Sequence, residues 1–193
     1  MKNKNITQTA FIALFAALIS ISCFIAVPVG ALGVPIVLQN MIVILAGAVL
    51  GIRGAAAVLL FMAAGILGLP VFAGGRSGLA PFFAPAGGYL IGYFFSALFA
   101  GIVLGKPAVT EKLNAVRYIK IAVIIFISFL IIYIFGTARL AQIIMDTKQI
   151  AFLQSIKPAI FAGVLPYIIG DFIKLIILIP LSAKLRIIIA GYL

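Results

Sequence analysis

The chain has 193 residues, of which 66% are hydrophobic and only 9% are charged. A soluble domain carries about 25% charged residues, so this composition excludes a water-soluble fold and predicts an integral membrane protein. The 14 basic residues give a net charge of +11, but they cluster between apolar runs, which indicates membrane topology and contact with anionic lipid rather than nucleic-acid binding. The absence of histidine excludes His-based metal sites and His-dependent nucleophilic catalysis, and we predict neither a metal nor a cofactor.

Three spans are predicted in the N-terminal part of the chain. The first, residues 7–27, is longer than the apolar core of a signal peptide, which favours a retained helix. For the second, residues 36–50, Pro35 occupies the position of a first helical residue. The third, residues 53–69, follows a turn at Arg53. The second and third runs are short, so one bent hairpin is an alternative to the two helices that we favour.

Three further spans are predicted at residues 88–105, 117–144 and 166–189, with an interfacial helix at residues 149–156. No polar domain interrupts the pattern. The sequence therefore predicts an all-α membrane protein, in which residues 1–193 form one bundle of six transmembrane helices.

The distribution of basic residues predicts the orientation of this bundle. With six spans both termini lie on one side, which we expect to be the cytoplasm because more of the bases fall there. That side holds Lys2, Lys4, Arg53, Lys106, Lys112, Arg117, Lys120, Lys184 and Arg186, whereas the outer side holds Arg76, Arg139, Lys148 and Lys157.

Pairs of small residues four positions apart predict close helix packing. In the first span such a pair has two interpretations. Ala13 and Ala17, broadened by Ala10 and Ala16, either pack inside the bundle or receive a helix of another protein. The other pairs are interpreted as internal packing: Gly47 and Gly51, Gly88 and Gly92, and Gly101 and Gly105.

An acid and a base lie inside the last span, in the stretch LPYIIGDFIK at residues 165–174. Asp171 and Lys174 are three residues apart and therefore share one helix face. A charge at this depth is costly and faces a partner or a cavity. The two residues pair with each other, or Lys174 extends towards the membrane surface, or both hold a polar ligand, and we favour the ligand.

The segment at residues 68–93 is apolar, yet it is rich in glycine and proline and carries one arginine, Arg76. Irregular backbone at membrane level is tolerated only where it lines a cavity or is buried in protein. We therefore interpret it as an outward-facing lid over a ligand, although a plain connecting loop is the alternative. Gly74 and Gly75 would bring backbone N–H groups close to that ligand. The aromatic walls would come from Phe72, Phe82, Phe83 and Tyr89.

A phosphate-binding loop is missing, because Pro107 follows Gly105-Lys106 where Ser or Thr is required. The chain also shows no inverted repeat and is small for a complete transporter. If it moves a solute uphill, we expect an outside partner to supply the energy.

Three motifs, GLPVFAGG…GGYLIGY, LPYIIGDFIK and VPIVLQN, together resemble BioY, the biotin-specific S component of energy-coupling factor (ECF) transporters. The resemblance covers nearly the whole chain. The sequence departs from the family at two places. The family usually has glycines at Arg76 and Ser77, and Gly-Pro-Thr at residues 84–86.

The resemblance implies a bacterial cell-membrane protein that binds biotin near the outer face. It also implies a transmembrane T component and two cytoplasmic ATPases as partners. By the same resemblance, Asp171 and Lys174 help to hold the ligand, and Ala13 and Ala17 dock the T component. Gln39 can both donate to biotin and accept from it.

Three rival functions remain open at this point. The chain could bind another vitamin, or it could act as a stand-alone biotin facilitator. It could also be an intramembrane aspartyl protease, which would need Asp146 as the partner of Asp171. Lys174 opposes that enzyme, because it favours an ionised Asp171 and a catalytic pair must share a proton.

Overall fold

The structure is a computed structural model that describes residues 4–28, 35–111 and 113–192. Lys2, Val34 and Lys112, which the sequence arguments used, lie outside the described residues. The described residues form eight α-helices and one short ribbon of strands. The helices are α1 (Lys4–Ile21), α2 (Gln39–Leu50), α3 (Arg53–Ile66), α4 (Ala80–Phe83), α5 (Gly87–Leu104), α6 (Ala115–Lys148), α7 (Phe152–Gly163) and α8 (Ile168–Ala190), and the strands are β1 (Ala26–Pro28) and β2 (Pro35–Val37).

Each of the six predicted spans has a helix in the structure. Among the described residues, four stretches are long and apolar enough to cross a bilayer, and they are Asn5–Phe24, Gly87–Leu104, Ala115–Lys148 and Phe152–Ala190. The other two, α2 and α3, are apolar but shorter, as the sequence predicted. They are separate helices, because Gly51 adopts a φ of +65° that ends α2 before Arg53 begins α3.

The connection between α1 and α2 corrects two predicted boundaries. The predicted first span ran to residue 27, but α1 ends at Ile21 and a 3-10 turn, Ser22–Phe24, follows it. Pro35 does not begin a helix. It lies in β2, opposite Pro28 of β1 in an antiparallel register, and α2 begins only at Gln39. Pairing with β1 satisfies backbone groups of this stretch that a helix would otherwise satisfy.

Two boundaries near the C-terminus also differ from the prediction. Helix α6 runs from Ala115 to Lys148, four residues beyond the predicted end, and it stops where Gln149 adopts a left-handed conformation. The predicted helix at residues 149–156 is instead α7, Phe152–Gly163. The chain enters α8 through a second 3-10 turn, Leu165–Tyr167, whose proline precedes the regular helix.

Helix α2 is the centre of the bundle, and Ile42 is its only residue that is not buried. A Cβ atom added to Gly47 would collide with the backbone of Ala97, so α2 and α5 are in close contact there. Gly88 and Gly92 bring α5 equally close to α6, at Phe135 and Ile132 respectively. These contacts confirm the predicted helix packing at Gly47, Gly88 and Gly92, whereas Gly105 follows the end of α5 and a Cβ atom added there would meet no close neighbour.

The helices alternate in direction and divide the bundle into two ends. Phe11 of α1 and Tyr192 beyond α8 are in contact, with ring centroids 6.3 Å apart, so the C-terminal end of α8 lies against α1. Arg186 of α8 lies at that end as well and donates to the carbonyls of Ala48 at 2.5 Å and Leu104 at 3.0 Å. We call this the Arg186 end and the opposite one the cavity end.

The sequence placed Arg186 among the bases of the cytoplasmic side, and the structure shows that its side chain is buried. Its exposed fraction is 0%, and its guanidinium is surrounded by acceptors. Two of them are the carboxylate oxygens of Glu111, at 2.6 and 3.1 Å, and Glu111 also contacts Arg117 at 2.7 Å. The ends of α2, α5 and α8 are thus joined to the loop before α6.

Candidate ligand-binding site

A small cavity lies at the cavity end, between the beginnings of α2, α5 and α8 and the middle of α6. Its volume is about 60 Å³. The segment between α3 and α5 covers it and contributes Phe72, Ala73, Arg76, Pro81 and Ala86 to the lining. We call residues 67–86 the lid. The remaining lining residues are Ile36, Val37, Gln39, Asn40, Tyr89, Leu90, Tyr93, Ile132, Tyr133, Tyr167, Asp171 and Lys174.

Asp171 and Lys174 are buried at the floor of this cavity, with exposed fractions of 7% and 9%. The Lys174 ammonium donates to Asp171 Oδ1 at 2.7 Å, to the Val37 carbonyl at 2.7 Å and to Asn40 Oδ1 at 2.9 Å. All three of its protons therefore have acceptors. The structure thus contains the ion pair that the sequence offered as one alternative, and it places the pair in a cavity wall, as the other alternative requires.

Asp171 has three hydrogen-bond donors around its carboxylate. Oδ1 accepts from Lys174 and from Asn40 Nδ2, the latter at 3.0 Å, and Oδ2 accepts from the Tyr133 hydroxyl at 2.6 Å. Residues from α2, α6 and α8 therefore converge on one carboxylate. Because buried polar groups are costly unless they are hydrogen-bonded, this network satisfies the Asp171 carboxyl group at the cavity floor.

Gln39 supplies an acceptor without a partner. Its Nε2 donates to the carbonyls of Ile19 at 3.1 Å and Val71 at 2.8 Å, which fixes the orientation of the amide. Its Oε1 is buried and has no hydrogen-bond partner among the described residues. A buried acceptor without a partner is costly, so a ligand N–H that reached Gln39 Oε1 would relieve that cost.

Tyr89 is the best anchored of the aromatic walls. Its hydroxyl donates to the Gly163 carbonyl at 2.7 Å. Its ring fills the space that side chains at Gly136 and Gly163 would need, so α5, α6 and α7 meet around it. Phe72 is also buried and lines the cavity, and it packs edge-on against Phe82, with ring centroids 5.4 Å apart.

Four residues predicted for the site lie outside the cavity lining, and they are Gly74, Gly75, Phe82 and Phe83. The exposed fraction of Phe83 is 69%, and its carbonyl accepts from Arg139 Nη2 at 2.6 Å. Gly74 and Gly75 have φ values of +76° and +73°, which only glycine adopts without strain. They form a tight turn in the lid that is closed by the hydrogen bond from Phe72 N to the Arg76 carbonyl, 3.0 Å long.

Asn40 and Tyr133 were not predicted as site residues, although both donate a hydrogen bond to Asp171. Each is a polar residue in an otherwise apolar run, which is the same signal that identified Asp171. Asn40 also directly follows Gln39 at the start of α2. Asn40 is 131 residues from Asp171 in the sequence and Tyr133 is 38 residues from it, so their hydrogen bonds are visible only in the folded structure.

Ala13 and Ala17 lie far from this network, on the exposed face of α1, as does Ala10. Large apolar residues continue the face, with exposed fractions of 50% for Leu14 and 42% for Leu18. Ala16 was expected to broaden this face, but it is 6% exposed and packs in the core. Within the described chain, therefore, Ala13 and Ala17 do not serve internal packing.

An all-helical membrane bundle with a small polar-floored cavity under a lid is the architecture of a membrane-embedded binding protein. The BioY family model matches residues 1–190, and the chain belongs to the BioY family. The biotin transporter BioY of Rhizobium etli is 33% identical over 194 residues, which cover 100% of this chain and 96% of the relative. The biotin transporter BioY of Rhodobacter capsulatus is 50% identical over 105 residues, or 53% of each chain.

A solved structure shares the fold. The S component for biotin from an ECF-type ABC transporter superimposes with a TM-score of 0.79 at 30% identity. The alignment covers 96% of this chain and 94% of that one. These matches confirm the predicted family and the predicted helical membrane fold.

Family membership also decides against the protease. The family consists of transporters, so the chain is not an enzyme. The geometry agrees, because Asp146 is exposed in the last turn of α6 whereas Asp171 is buried and paired with Lys174.

Proposed function

We propose that this chain is the substrate-binding S component of an ECF-type transporter and that it captures biotin at the cavity end. The observation that carries the proposal is the network of Asp171, Lys174, Asn40 and Tyr133 at the floor of a cavity with aromatic walls. Its donors and acceptors complement a ligand with one polar cyclic end and one apolar body.

Biotin has such a structure. Its ureido ring offers two N–H donors and one carbonyl, and its thiophane ring is apolar. The Asp171 carboxylate and Gln39 Oε1 would accept the N–H groups. Lys174 would exchange one of its three present acceptors for the carbonyl or the carboxylate of the ligand. Tyr89 and Phe72 would enclose the sulfur ring.

Sites for ligands of this size usually measure about 300–1,000 Å³. The present cavity of about 60 Å³ is smaller. We therefore expect the lid to move outward as biotin enters.

We also propose which partners the chain assembles with and how it is oriented in the membrane. A transmembrane T component and two cytoplasmic ATPases would drive uptake, and the T component would pack on Ala13 and Ala17 of α1. The cavity end would face outward in a bacterial cell membrane, with the Arg186 end and both termini in the cytoplasm. The excess of basic residues at the Arg186 end supports this orientation.

Isothermal titration of the purified chain with biotin tests the proposal. We expect stoichiometric binding that is far tighter than millimolar, because aromatic and aliphatic side chains enclose the cavity and its polar groups are already in place. A panel of other vitamins is the control. Binding of one of these in place of biotin would assign the same site to a different vitamin. No binding of any vitamin would contradict the proposed function itself.

A further inference from the structure

A second cavity opens on the side of the bundle, between α6 and α8. Its volume is about 280 Å³, and Phe126, Phe129 and Leu130 of α6 face Phe172 and Leu175 of α8 across it. Only two of its lining residues, Tyr133 and Asp171, carry polar side chains. We call this space the lateral cleft. It is separate from the proposed ligand cavity, although the hydrogen bond between Tyr133 and Asp171 borders both.

The lateral cleft faces the hydrocarbon of the bilayer. Both helices that form it lie in stretches long and apolar enough to cross a membrane. Residues at its rim are exposed outward, with exposed fractions of 54% for Phe126, 42% for Leu130 and 62% for Phe172. From Ile168 to Leu175 the cleft follows about 10 Å of α8, at 1.5 Å per residue, in the half of the membrane nearer the cavity end.

The apolar side chains that line the lateral cleft determine which kind of molecule can occupy it. An apolar cavity of about 150 Å³ stays dry and binds hydrocarbon, and the lateral cleft is larger. Left empty, its walls would lose dispersion contacts over the whole surface. We propose that the lateral cleft is a lipid site, filled by one acyl chain of a phospholipid from the surrounding leaflet. The chain shields the Tyr133–Asp171 hydrogen bond from water on the lipid side and keeps the floor of the ligand cavity dry.

The absence of tryptophan from the sequence provides a clean experiment, because one introduced tryptophan is the only indole in the protein. Phe129 lies in the cleft and is 5% exposed, so Phe129→Trp reports on its occupant. Phe15→Trp is the matched control, since Phe15 is 4% exposed but packs in the core on α1. Both variants are reconstituted in phosphatidylcholine vesicles with plain or mid-chain brominated acyl chains.

Bromine quenches indole fluorescence on close contact. We expect brominated lipid to lower the emission of Phe129→Trp by about two-fold and to leave that of Phe15→Trp nearly unchanged, because contact requires atoms within about 4–4.5 Å. Adding Leu130→Phe to Phe129→Trp narrows the cleft and should remove most of the quenching. If Phe129→Trp does not fold, Leu175→Trp probes the cleft from α8, with Ile179→Trp of the same helix as its control.

Two results would overturn the assignment. Equal quenching of Phe129→Trp and Phe15→Trp, or quenching of Phe129→Trp by aqueous iodide instead of lipid, would show that no acyl chain enters. Relief of the quenching by saturating biotin would show that the cleft belongs to the ligand site and not to a separate lipid site. Unchanged quenching with biotin bound supports the lipid site.

Discussion

At the scale of single residues, Asp171 and Lys174 form the ion pair that we propose binds biotin. We expect Asp171→Asn to weaken biotin binding by about 1.5–3 kcal/mol, the range for a hydrogen bond to a charged group. This corresponds to a roughly 10- to 150-fold higher Kd. Lys174→Met should have an effect of similar size. Titration calorimetry on the folded fraction measures both.

Asp146→Asn is the matched control, because it makes the same change at an exposed acid remote from the cavity. It should leave the affinity for biotin unchanged. If Asp171→Asn and Lys174→Met lower the melting temperature but the folded protein binds biotin normally, the pair serves folding alone and the ligand proposal for these residues fails.

The same residues show what a sequence can and cannot reveal. A charge inside an apolar run is conspicuous because hydrocarbon penalises it, so Asp171 and Lys174 could be predicted as a buried polar site. Arg186 lies near the end of a span, where a solvated cation is ordinary, and its contacts with Glu111 and with the ends of α2 and α5 depend on the fold. Its burial could not be read from the local sequence.

At the scale of elements, the exposed face of α1 is the clearest candidate for contact with another helix. Ala13 and Ala17 lie on that face, and in lipid close approach and dispersion must hold helices together. We expect Ala13→Leu or Ala17→Leu to leave biotin binding by the isolated chain intact but to abolish co-purification with the T component and ATP-driven uptake. Pull-down and vesicle transport assays measure these effects.

Ala16→Leu, one position from Ala17, is the control on the buried face of the same helix. It should lower the melting temperature, since inserting methylenes into a packed core costs about 1–3 kcal/mol. Normal assembly and transport by both exposed-face variants would show that the T component docks on another surface.

The lid has its own anchor in Arg139 of α6. The guanidinium donates to the Phe83 carbonyl at the end of α4 and holds the lid against the bundle. We expect Arg139→Gln to speed biotin dissociation by about 2- to 10-fold, because a partly exposed hydrogen bond of about 0.5–1.5 kcal/mol is lost. Stopped-flow displacement measures the rate, and Lys148→Gln, at an exposed cation near the end of the same helix, should not change it. Equal rates for Arg139→Gln and the unmodified chain would rule out this anchor.

The positions of the helices could be predicted from the sequence more accurately than their first and last residues. The spans themselves follow from runs of apolar residues that only a membrane accommodates. Their limits depend on contacts between distant segments. Strand β2 forms because Ile36 pairs with Val27, and α2 begins two residues after that strand. Ile36 and Val37 alone are compatible with either structure, so the tertiary contact decides.

At the scale of the whole molecule, the cluster of Arg186, Glu111 and Arg117 joins helices at the end opposite the cavity. Arg186 caps α2 and α5 through the carbonyls of Ala48 and Leu104, and Glu111 neutralises it from the loop before α6. The ligand network lies at the other end of the same helices, α2 and α8. The central helices are therefore fixed at both ends, and we expect the lid to be the part that moves when a ligand enters.

This cluster makes the stability of the protein depend on pH. Burial alone would raise the pKa of Glu111, but hydrogen bonds and charge from Arg186 and Arg117 outweigh burial and hold the pKa below its ordinary value of 4.5. Because the folded pKa is the lower one, the contribution of Glu111 is complete above the ordinary pKa and is lost as the pH falls through the folded pKa.

We therefore expect Glu111→Gln to lower the free energy of unfolding by about 3 kcal/mol at neutral pH, because it leaves Arg186 buried without its counter-ion. The difference from the unmodified chain should begin to shrink as the pH falls below 4.5, and it should disappear as the pH falls through the lower folded pKa of Glu111. Thermal melts in detergent between neutral and acidic pH measure this convergence. Asp146→Asn, at an exposed acid, should follow the unmodified chain throughout. If the difference in stability between Glu111→Gln and the unmodified chain stays constant down to strongly acidic pH, the charge of Glu111 does not stabilise the cluster.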